Sequence, residues 1–380
     1  MDSRLPPRFS TYLDIIRVVA ALVVLFSHYP LTQRQADITN HTNFAYDAVI
    51  VFFVLSGYVI AYAAQNVDRT GSNYAINRMA RILPVALAAT GIAWMGMRTG
   101  YALRPELYHD AYQLTNAPSY AMVSGFFLNQ VWWLNIGSFD NGPYWSLSYE
   151  VFYYLIYGLA MFSGKYRFAW AALALVVAGP KIAIMFVVWG VGALAYKYRD
   201  SGPENAFTLR CMLLMPFACY CLVAAYLPWD WSYPYIGAVV SEWLGLGLEG
   251  AANFGWGYLL AILFSVHLFA ARKLLARKAA TDHSGIGLWA KKAASYTFTL
   301  YIVHYPVILL SRAFLGTAAD GYNLEYKLYV LIYLAGVVLI VAKLCEHPKR
   351  RYRLMISGLF KGVQDFSTRL VAAALFRPKS

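Results

Sequence analysis

The sequence predicts an all-α fold, a polytopic membrane helix bundle of about ten transmembrane helices with both termini in the cytoplasm. Three observations predict it. Of the 380 residues, 60% are hydrophobic and only 13% are charged, whereas a soluble domain carries about twice that charged fraction. Apolar runs long enough to cross a bilayer recur along the chain. The basic residues behind the net charge of +13 fall in short segments between those runs, a pattern typical of cytoplasmic loops and not of nucleic-acid binding.

The apolar runs define the predicted spans in order. They cover residues 12–30, 46–65, 81–98, 145–163, 166–179, 181–197, 209–227, 254–272, 293–315 and 326–344. Two shorter, interrupted stretches, 118–136 and 234–249, are predicted to be re-entrant or interfacial segments on the outer side; if both crossed, the bundle would have twelve spans. Residues 1–350 are predicted to form one integral membrane domain, and 351–380 a basic, amphipathic cytoplasmic tail on the inner membrane surface.

The first predicted helix carries Asp14, Arg17 and His28 inside its apolar run. An ionisable group in hydrocarbon costs several kcal/mol and therefore marks a candidate functional site. Eleven residues make about three helical turns, so Arg17 and His28 share one face, roughly 16 Å apart along the axis. Asp14 lies one turn before Arg17 and can pair with it. A structural ion pair with an interfacial histidine is the alternative interpretation.

The second helix and the segment after it contain small and basic residues. Ser56 and Gly57 indicate a packing notch for a neighbouring helix. Arg78 and Arg81 share one helical turn at the inner end. They can serve as positive-inside anchors, or they can bind the phosphate groups of a soluble ligand.

The segment 141–155 begins with a turn at Asn141 and continues as a helix. Glu150 lies near the start of this helix, where a carboxylate is favoured. We expect it at a depth similar to that of His28, where it could orient a general base. A helix cap is the alternative.

Two further histidines lie in predicted spans. His304 precedes the helix-kinking Pro306, on a polar face that suits a cavity wall, although a buried structural histidine is an open alternative. His267 is predicted to be structural, and Glu346 to form a salt bridge at the inner surface. The four cysteines lack metal-ligand spacing, so no metal is expected.

Together these segments resemble the acyltransferase 3 family of integral membrane acyltransferases over residues 9–352, in the stand-alone form without a fused extracytoplasmic domain. The motif in helix one, Arg17 followed after ten residues by His28, is the most specific element. The remaining matches are FFVLSGY (52–58), RMAR (78–81), WSLSYE (145–150), SYTFTLYIVHYP (295–306) and the Glu346-His-Pro block.

The resemblance implies transfer of an acyl group, often acetyl, from acetyl-CoA or another acyl-CoA to a hydroxyl. The expected acceptor is a carbohydrate at the outer side, such as a surface polysaccharide, lipopolysaccharide or a lipid-linked sugar, in a bacterial inner membrane. The expected catalytic residues are His28, Arg17 and Glu150; Arg78, Arg81 and Arg17 are expected to bind the donor, and Trp145, Ser148, His304 and Tyr301 the acceptor. Direct transfer and an acyl-histidine intermediate both remain open. A multi-helix transporter is the main alternative, and a receptor or scaffold the third.

Overall fold

The computed structural model describes residues 5–35, 43–226, 233–277, 285–316 and 322–375. Within these ranges the regular secondary structure is helical. The α-helices are Pro7–His28 (α1), Phe44–Asn66 (α2), Gly71–Leu103 (α3), Tyr112–Thr115 (α4), Ala117–Gly125 (α5), Trp145–Phe162 (α6), Arg167–Ala178 (α7), Pro180–Lys197 (α8), Ala206–Tyr226 (α9), Ala238–Leu244 (α10), Phe254–Ala276 (α11), Gly285–Ala294 (α12), Thr297–Leu315 (α13), Leu324–Val341 (α14) and Lys349–Leu375 (α15).

Among the described residues, eight helices are long and apolar enough to cross a membrane: α1, α2, α3, α8, α9, α11, α13, and α14 with the turn that extends it to Glu346. This confirms the all-α membrane bundle. The predicted spans 145–163 and 166–179 are also helices, α6 and α7, but they fall short of the same criterion. Tyrosines, serines and one glutamate lower the hydropathy of α6. Helix α7 has 12 residues, about 18 Å against the ~30 Å of a hydrocarbon core.

The two interrupted stretches contain only short helices. Stretch 118–136 holds the end of α5, which has nine residues, and stretch 234–249 holds α10, which has seven. Neither helix is long enough to cross, as predicted, and their outer location stays a prediction. After α5 the chain folds onto the α7–α8 turn, where the Trp132 indole donates to the Val176 carbonyl at 3.0 Å.

Helices α2 and α8 approach closely at two glycines. A Cβ on Gly57 would lie 2.0 Å from the Trp189 carbonyl oxygen, and a Cβ on Gly192 would lie 2.0 Å from the Val54 carbonyl oxygen. Only residues without a side chain allow this approach, so the predicted packing notch is confirmed. The contact fixes the face of α2 on which Ser56 lies.

Helix α13 contains Pro306, which has no N–H to give to the Ile302 carbonyl four residues earlier. Asn141 compensates, because its Nδ2 donates to that carbonyl at 2.9 Å. The turn before α6 is therefore tied to the kinked part of α13, next to His304.

Glu346 lies at the end of the extended α14 and is 4% exposed. It accepts hydrogen bonds from the Thr299 amide at 3.2 Å and the Thr299 hydroxyl at 2.6 Å. The prediction of a salt bridge at the inner surface was wrong, because this carboxylate is buried and binds the free donors at the start of α13. Just beyond it, Ile356 of α15 packs on Ile76 and Ala80 of α3.

Candidate active site

A narrow cavity of about 70 Å³ lies between α1, α2, α3, α6 and α13. Arg17 and Arg81 supply its positive charge, and Ser56, Glu150 and Tyr154 supply further polar groups. Its remaining walls are mostly apolar and include Val49, Phe52, Phe53, Val59 and Ile60. We call it the arginine cavity.

The two arginines have different neighbours. Arg17 Nη1 lies 3.3 Å from Asp14 Oδ1, so the predicted pair is confirmed, and both side chains remain about one-fifth exposed. Arg81 forms no ion pair within the part of the chain that the structure describes, although Glu150, Glu346 and Asp14 all lie within electrostatic range. Its guanidinium is available to a ligand.

Glu150 faces the arginine cavity and does not contact His28. The Ser56 hydroxyl donates to Glu150 Oε1 at 3.1 Å, and the Tyr154 hydroxyl donates to the same oxygen. Five residues separate Glu150 from the start of α6, which places it about 7 Å deeper than Trp145 along the helix. The expectation that Glu150 orients His28 was wrong for this reason.

Arg78 is engaged elsewhere. Its Nη2 lies 3.3 Å from Asp68 Oδ2, and Asp68 is fully buried. Its guanidinium also lies 5.7 Å from the centre of the Tyr74 ring. Of the Arg78 and Arg81 pair, only Arg81 lines the cavity.

Lys349 is a further cation on this side that sequence reasoning did not include. Its side chain reaches solvent, yet the surrounding protein and then the repulsion of Arg81 lower its pKa. Arg17 and Arg78 act in the same direction, and only Glu346 opposes them. The inner mouth therefore concentrates positive charge.

A wider cavity of about 460 Å³ lies toward the other end of α1 and contains His28. We call it the histidine cavity. Trp145 lines it, as do Glu249 and Asn253, which precede α11. It shares two residues, Val49 and Tyr301, with the arginine cavity.

His28 lies on the wall of this cavity, and its side-chain partner is another histidine. His304 Nε2 lies 3.2 Å from His28 Nδ1, and His304 is 1% exposed. The Tyr305 ring meets the His28 ring edge-on, with centroids 5.4 Å apart. The structure thus brings together two histidines that lie 276 residues apart in sequence.

The expected acceptor residues divide into two groups. Trp145 and Tyr301 line the histidine cavity, and the Tyr301 hydroxyl contacts Ser146 Oγ at 2.7 Å. Ser148 is fully buried, and its hydroxyl points to Asn129 Oδ1 at 3.5 Å. His304 lies behind His28 and not on the cavity wall.

Sequence reasoning missed Glu249, Asn253 and Val49. Val49 is one apolar residue among many in α2, and nothing local distinguishes it. Glu249 has a φ of +48°, a conformation rare outside glycine, and it lies in a stretch that contains no recognised chemical motif. Only the fold places these residues beside His28.

His267 is structural, as predicted. Its Nδ1 lies 2.7 Å from the Leu213 carbonyl oxygen, and its Nε2 contacts the Tyr12 hydroxyl. In the described ranges no group of three His, Cys, Asp or Glu side chains could hold a metal, and the four cysteines are free.

The fold defines an integral membrane helix bundle with two neighbouring cavities, one lined by two arginines and one by a histidine. Residues 10–344 match the acyltransferase domain of the acyltransferase 3 family, and the chain belongs to that family. It is a membrane acyltransferase. The chain is 27% identical over 340 residues to acyltransferase MdmB of Streptomyces mycarofaciens, a match that covers 82% of this chain and 83% of that protein. No solved structure matches it.

Proposed function

We propose that this protein moves an acyl group, in the simplest case acetyl, from cytoplasmic acyl-CoA to a hydroxyl of a sugar or glycan at the outer side of a bacterial inner membrane. One observation carries the proposal. The arginine cavity and the histidine cavity lie toward opposite ends of α1 and share Val49 and Tyr301. A path past these two residues would let a flexible arm that enters at one end present its tip at the other.

The inner end suits a donor that carries phosphates. Arg17 and Arg81 line the cavity, and Lys349 lies within their electrostatic range. Guanidinium groups bind phosphate oxygens in a two-pronged manner, and a lysine adds a point charge. The phosphates of acyl-CoA would stay at this mouth while the uncharged pantetheine arm extends along the mostly apolar walls.

At the outer end, His28 supplies the base. The acceptor hydroxyl gives its proton to a ring nitrogen of His28 as its oxygen bonds to the thioester carbonyl carbon. The tetrahedral intermediate then collapses, the carbon–sulfur bond breaks, and the leaving thiolate takes the proton back from the imidazolium. An ester and a free thiol result, and His28 is neutral again.

The histidine cavity offers polar groups that suit a carbohydrate. Glu249 is an exposed carboxylate on its wall, and Asn253 adds an amide. Such side chains accept and donate hydrogen bonds to sugar hydroxyls, and the partly buried Trp145 adds an aromatic surface. The volume of about 460 Å³ is within the range of small-molecule sites.

Transfer of radiolabelled acetyl from acetyl-CoA by the purified protein tests the proposal. We expect wild-type protein to release CoA and to label a glycan acceptor. His28→Ala should abolish both while leaving the affinity for CoA unchanged. His109→Ala serves as the control, because the side chain of that loop residue is 83% exposed. Full activity of His28→Ala would rule the mechanism out.

A further inference from the structure

The hydrogen bonds around the two histidines determine which of their nitrogens carry protons. His304 Nδ1 lies 2.8 Å from the Tyr301 carbonyl oxygen and 3.2 Å from the Leu300 carbonyl oxygen. Both oxygens are acceptors only, so Nδ1 of His304 must carry a hydrogen. In the neutral ring, Nε2 is then an acceptor with a free lone pair.

That lone pair faces His28. Nδ1 of His28 lies 3.2 Å from His304 Nε2 and 3.0 Å from the Val24 carbonyl oxygen. Both partners accept, so Nδ1 of His28 must be the donor. If it were not, lone pairs would face one another inside the protein, and the buried acceptors would be left without a donor.

The consequence is a single tautomer of His28. Because Nδ1 carries the hydrogen, Nε2 of the neutral ring has the free lone pair. Since Nδ1 is the nitrogen already engaged by protein atoms, Nε2 is the nitrogen left for a ligand in the histidine cavity. A hydroxyl can lose its proton only to this nitrogen.

We propose that His304 is a positioning residue, which acts with the Val24 carbonyl to hold His28 in the Nδ1–H tautomer and so leaves Nε2 as the base that takes the acceptor proton. The inference rests on the proposed function and deepens it. It gives His304 the role that sequence reasoning had assigned to Glu150.

The hydrogen bond between the two histidines also stabilises His28 in its charged form during the reaction. When His28 takes the proton at Nε2, its ring becomes an imidazolium with a hydrogen on both nitrogens. His304 Nε2 still accepts from Nδ1–H, now as a charge-assisted hydrogen bond, which is about twice as strong as a neutral one. No proton needs to leave His304, so the ring pair returns unchanged after the thiolate is protonated.

Fold geometry holds His304 in place. Asn141 binds the Ile302 carbonyl that Pro306 leaves free, so α13 keeps its shape beside α1. The Tyr305 ring packs on the edge of His28. The two carbonyl oxygens that fix Nδ1 of His304 belong to its own helix.

Two substitutions separate the roles of the two nitrogens. The amide of asparagine reaches the position of Nδ1 but not that of Nε2, whereas the amide of glutamine reaches the position of Nε2. His304→Asn therefore removes one of the two acceptors of the His28 Nδ1–H and leaves only the Val24 carbonyl oxygen, whereas His304→Gln restores the second acceptor. His267→Asn is the matched control, since His267 is a partly buried histidine bonded to a backbone carbonyl and lies outside the site.

The test measures kcat and the KM for acetyl-CoA in these variants. We expect His304→Asn to lower kcat about 100-fold, in the range of general acid–base contributions, with KM unchanged. His304→Gln should retain kcat within about tenfold, and His28→Ala/His304→Asn should be no worse than His28→Ala. Equal kcat values for the Asn and Gln variants, or wild-type kcat in His304→Asn, would overturn the proposal.

A second measurement reads the tautomer of His28 directly, first in the unaltered protein, so that a folding defect cannot mask that answer. Nitrogen NMR of the ¹⁵N-histidine-labelled protein distinguishes the tautomers, and the His28 signal is assigned from its loss in His28→Ala. An Nδ1–H signal for His28 that is partly lost in His304→Asn supports the proposal; an Nε2–H signal in the wild type, or an Nδ1–H signal that His304→Asn leaves unchanged, overturns it. Wild-type protein that transfers no acyl group would instead overturn the proposed function, whichever tautomer is found.

Discussion

Arg78 and Arg81 occupy one turn of α3, yet the structure gives them separate tasks. Arg81 lines the arginine cavity, whereas Arg78 pairs with the fully buried Asp68. We expect Arg81→Gln to raise the KM for acyl-CoA about tenfold, because losing a hydrogen bond to a charged group costs ~1.5–3 kcal/mol. The melting temperature of the Arg81→Gln variant in detergent should stay close to that of the wild-type protein.

Arg78→Ala should behave in the opposite way. Removing one partner of a buried pair leaves an uncompensated charge and costs about 3–5 kcal/mol. We expect a clearly lower melting temperature with little change in the KM for the donor. Asp68→Asn in the same background should recover part of the loss, since it removes the stranded charge. A donor KM that rises equally in the two arginine variants would contradict this division.

The positions of individual residues show where prediction from the sequence succeeded and where it failed. Arg17, His28 and Asp14 lie on one helix, so helical periodicity alone predicts their relations. The prediction for Glu150 misjudged how far along α6 this side chain lies. Five residues of helix are enough to move a side chain from the level of the histidine cavity to the level of the arginine cavity. The His28–His304 contact depends on the packing of α1 against α13, which no local pattern encodes.

At the level of single elements, the α2–α8 contact gives a sharp prediction. We expect Gly57→Ala to destabilise the protein, because its new Cβ would lie 2.0 Å from the Trp189 carbonyl oxygen and the two backbones would have to separate. Overpacking of this kind costs roughly 1–3 kcal/mol. Transfer should fall as well, since the neighbouring Ser56 lines the arginine cavity.

Gly190→Ala, in α8, is the matched control for Gly57→Ala. A Cβ at Gly190 meets no atom within 4 Å, and alanine is favoured over glycine inside a helix by about 0.8–1 kcal/mol. We therefore expect an unchanged or slightly higher melting temperature. Equal destabilisation by the two substitutions would show that the close approach is not what holds α2 and α8 together.

The helices themselves were largely predictable, since apolar runs of spanning length specify them. Short helices were harder. Helix α6 carries polar groups toward the arginine cavity and has enough tyrosine to lower its mean hydropathy, whereas α7 misses the criterion because it has only 12 residues. A high mean hydropathy identifies helices whose side chains face lipid. It identifies a helix poorly when other helices surround that helix.

At the level of the whole molecule, orientation decides which cavity meets the cytoplasm. The excess of basic residues predicts that the arginine cavity opens inward. In protein whose native cysteines are replaced by serine, we expect His109→Cys to react with an impermeant maleimide in intact cells. Lys165→Cys, in the exposed α6–α7 connection, should react only after the membrane is permeabilised. The reverse labelling pattern would place His28 on the cytoplasmic side and exclude the proposed direction of transfer.

The junction of the two cavities should control which acyl group passes. Val49 is 5% exposed and lines both cavities, as does Tyr301. Val49→Ala removes two methyl groups there, so a longer chain should fit beside His28. We expect the ratio of kcat/KM for butyryl-CoA to that for acetyl-CoA to rise about tenfold, because a methylene in an apolar pocket is worth roughly 1–3 kcal/mol. Val19→Ala makes the same change on α1 at a residue that is 53% exposed, and it should leave the ratio unchanged. Equal ratios in the two variants would mean that the acyl group reaches His28 by a route that avoids Val49, and the cavities would then be neighbours without being a path.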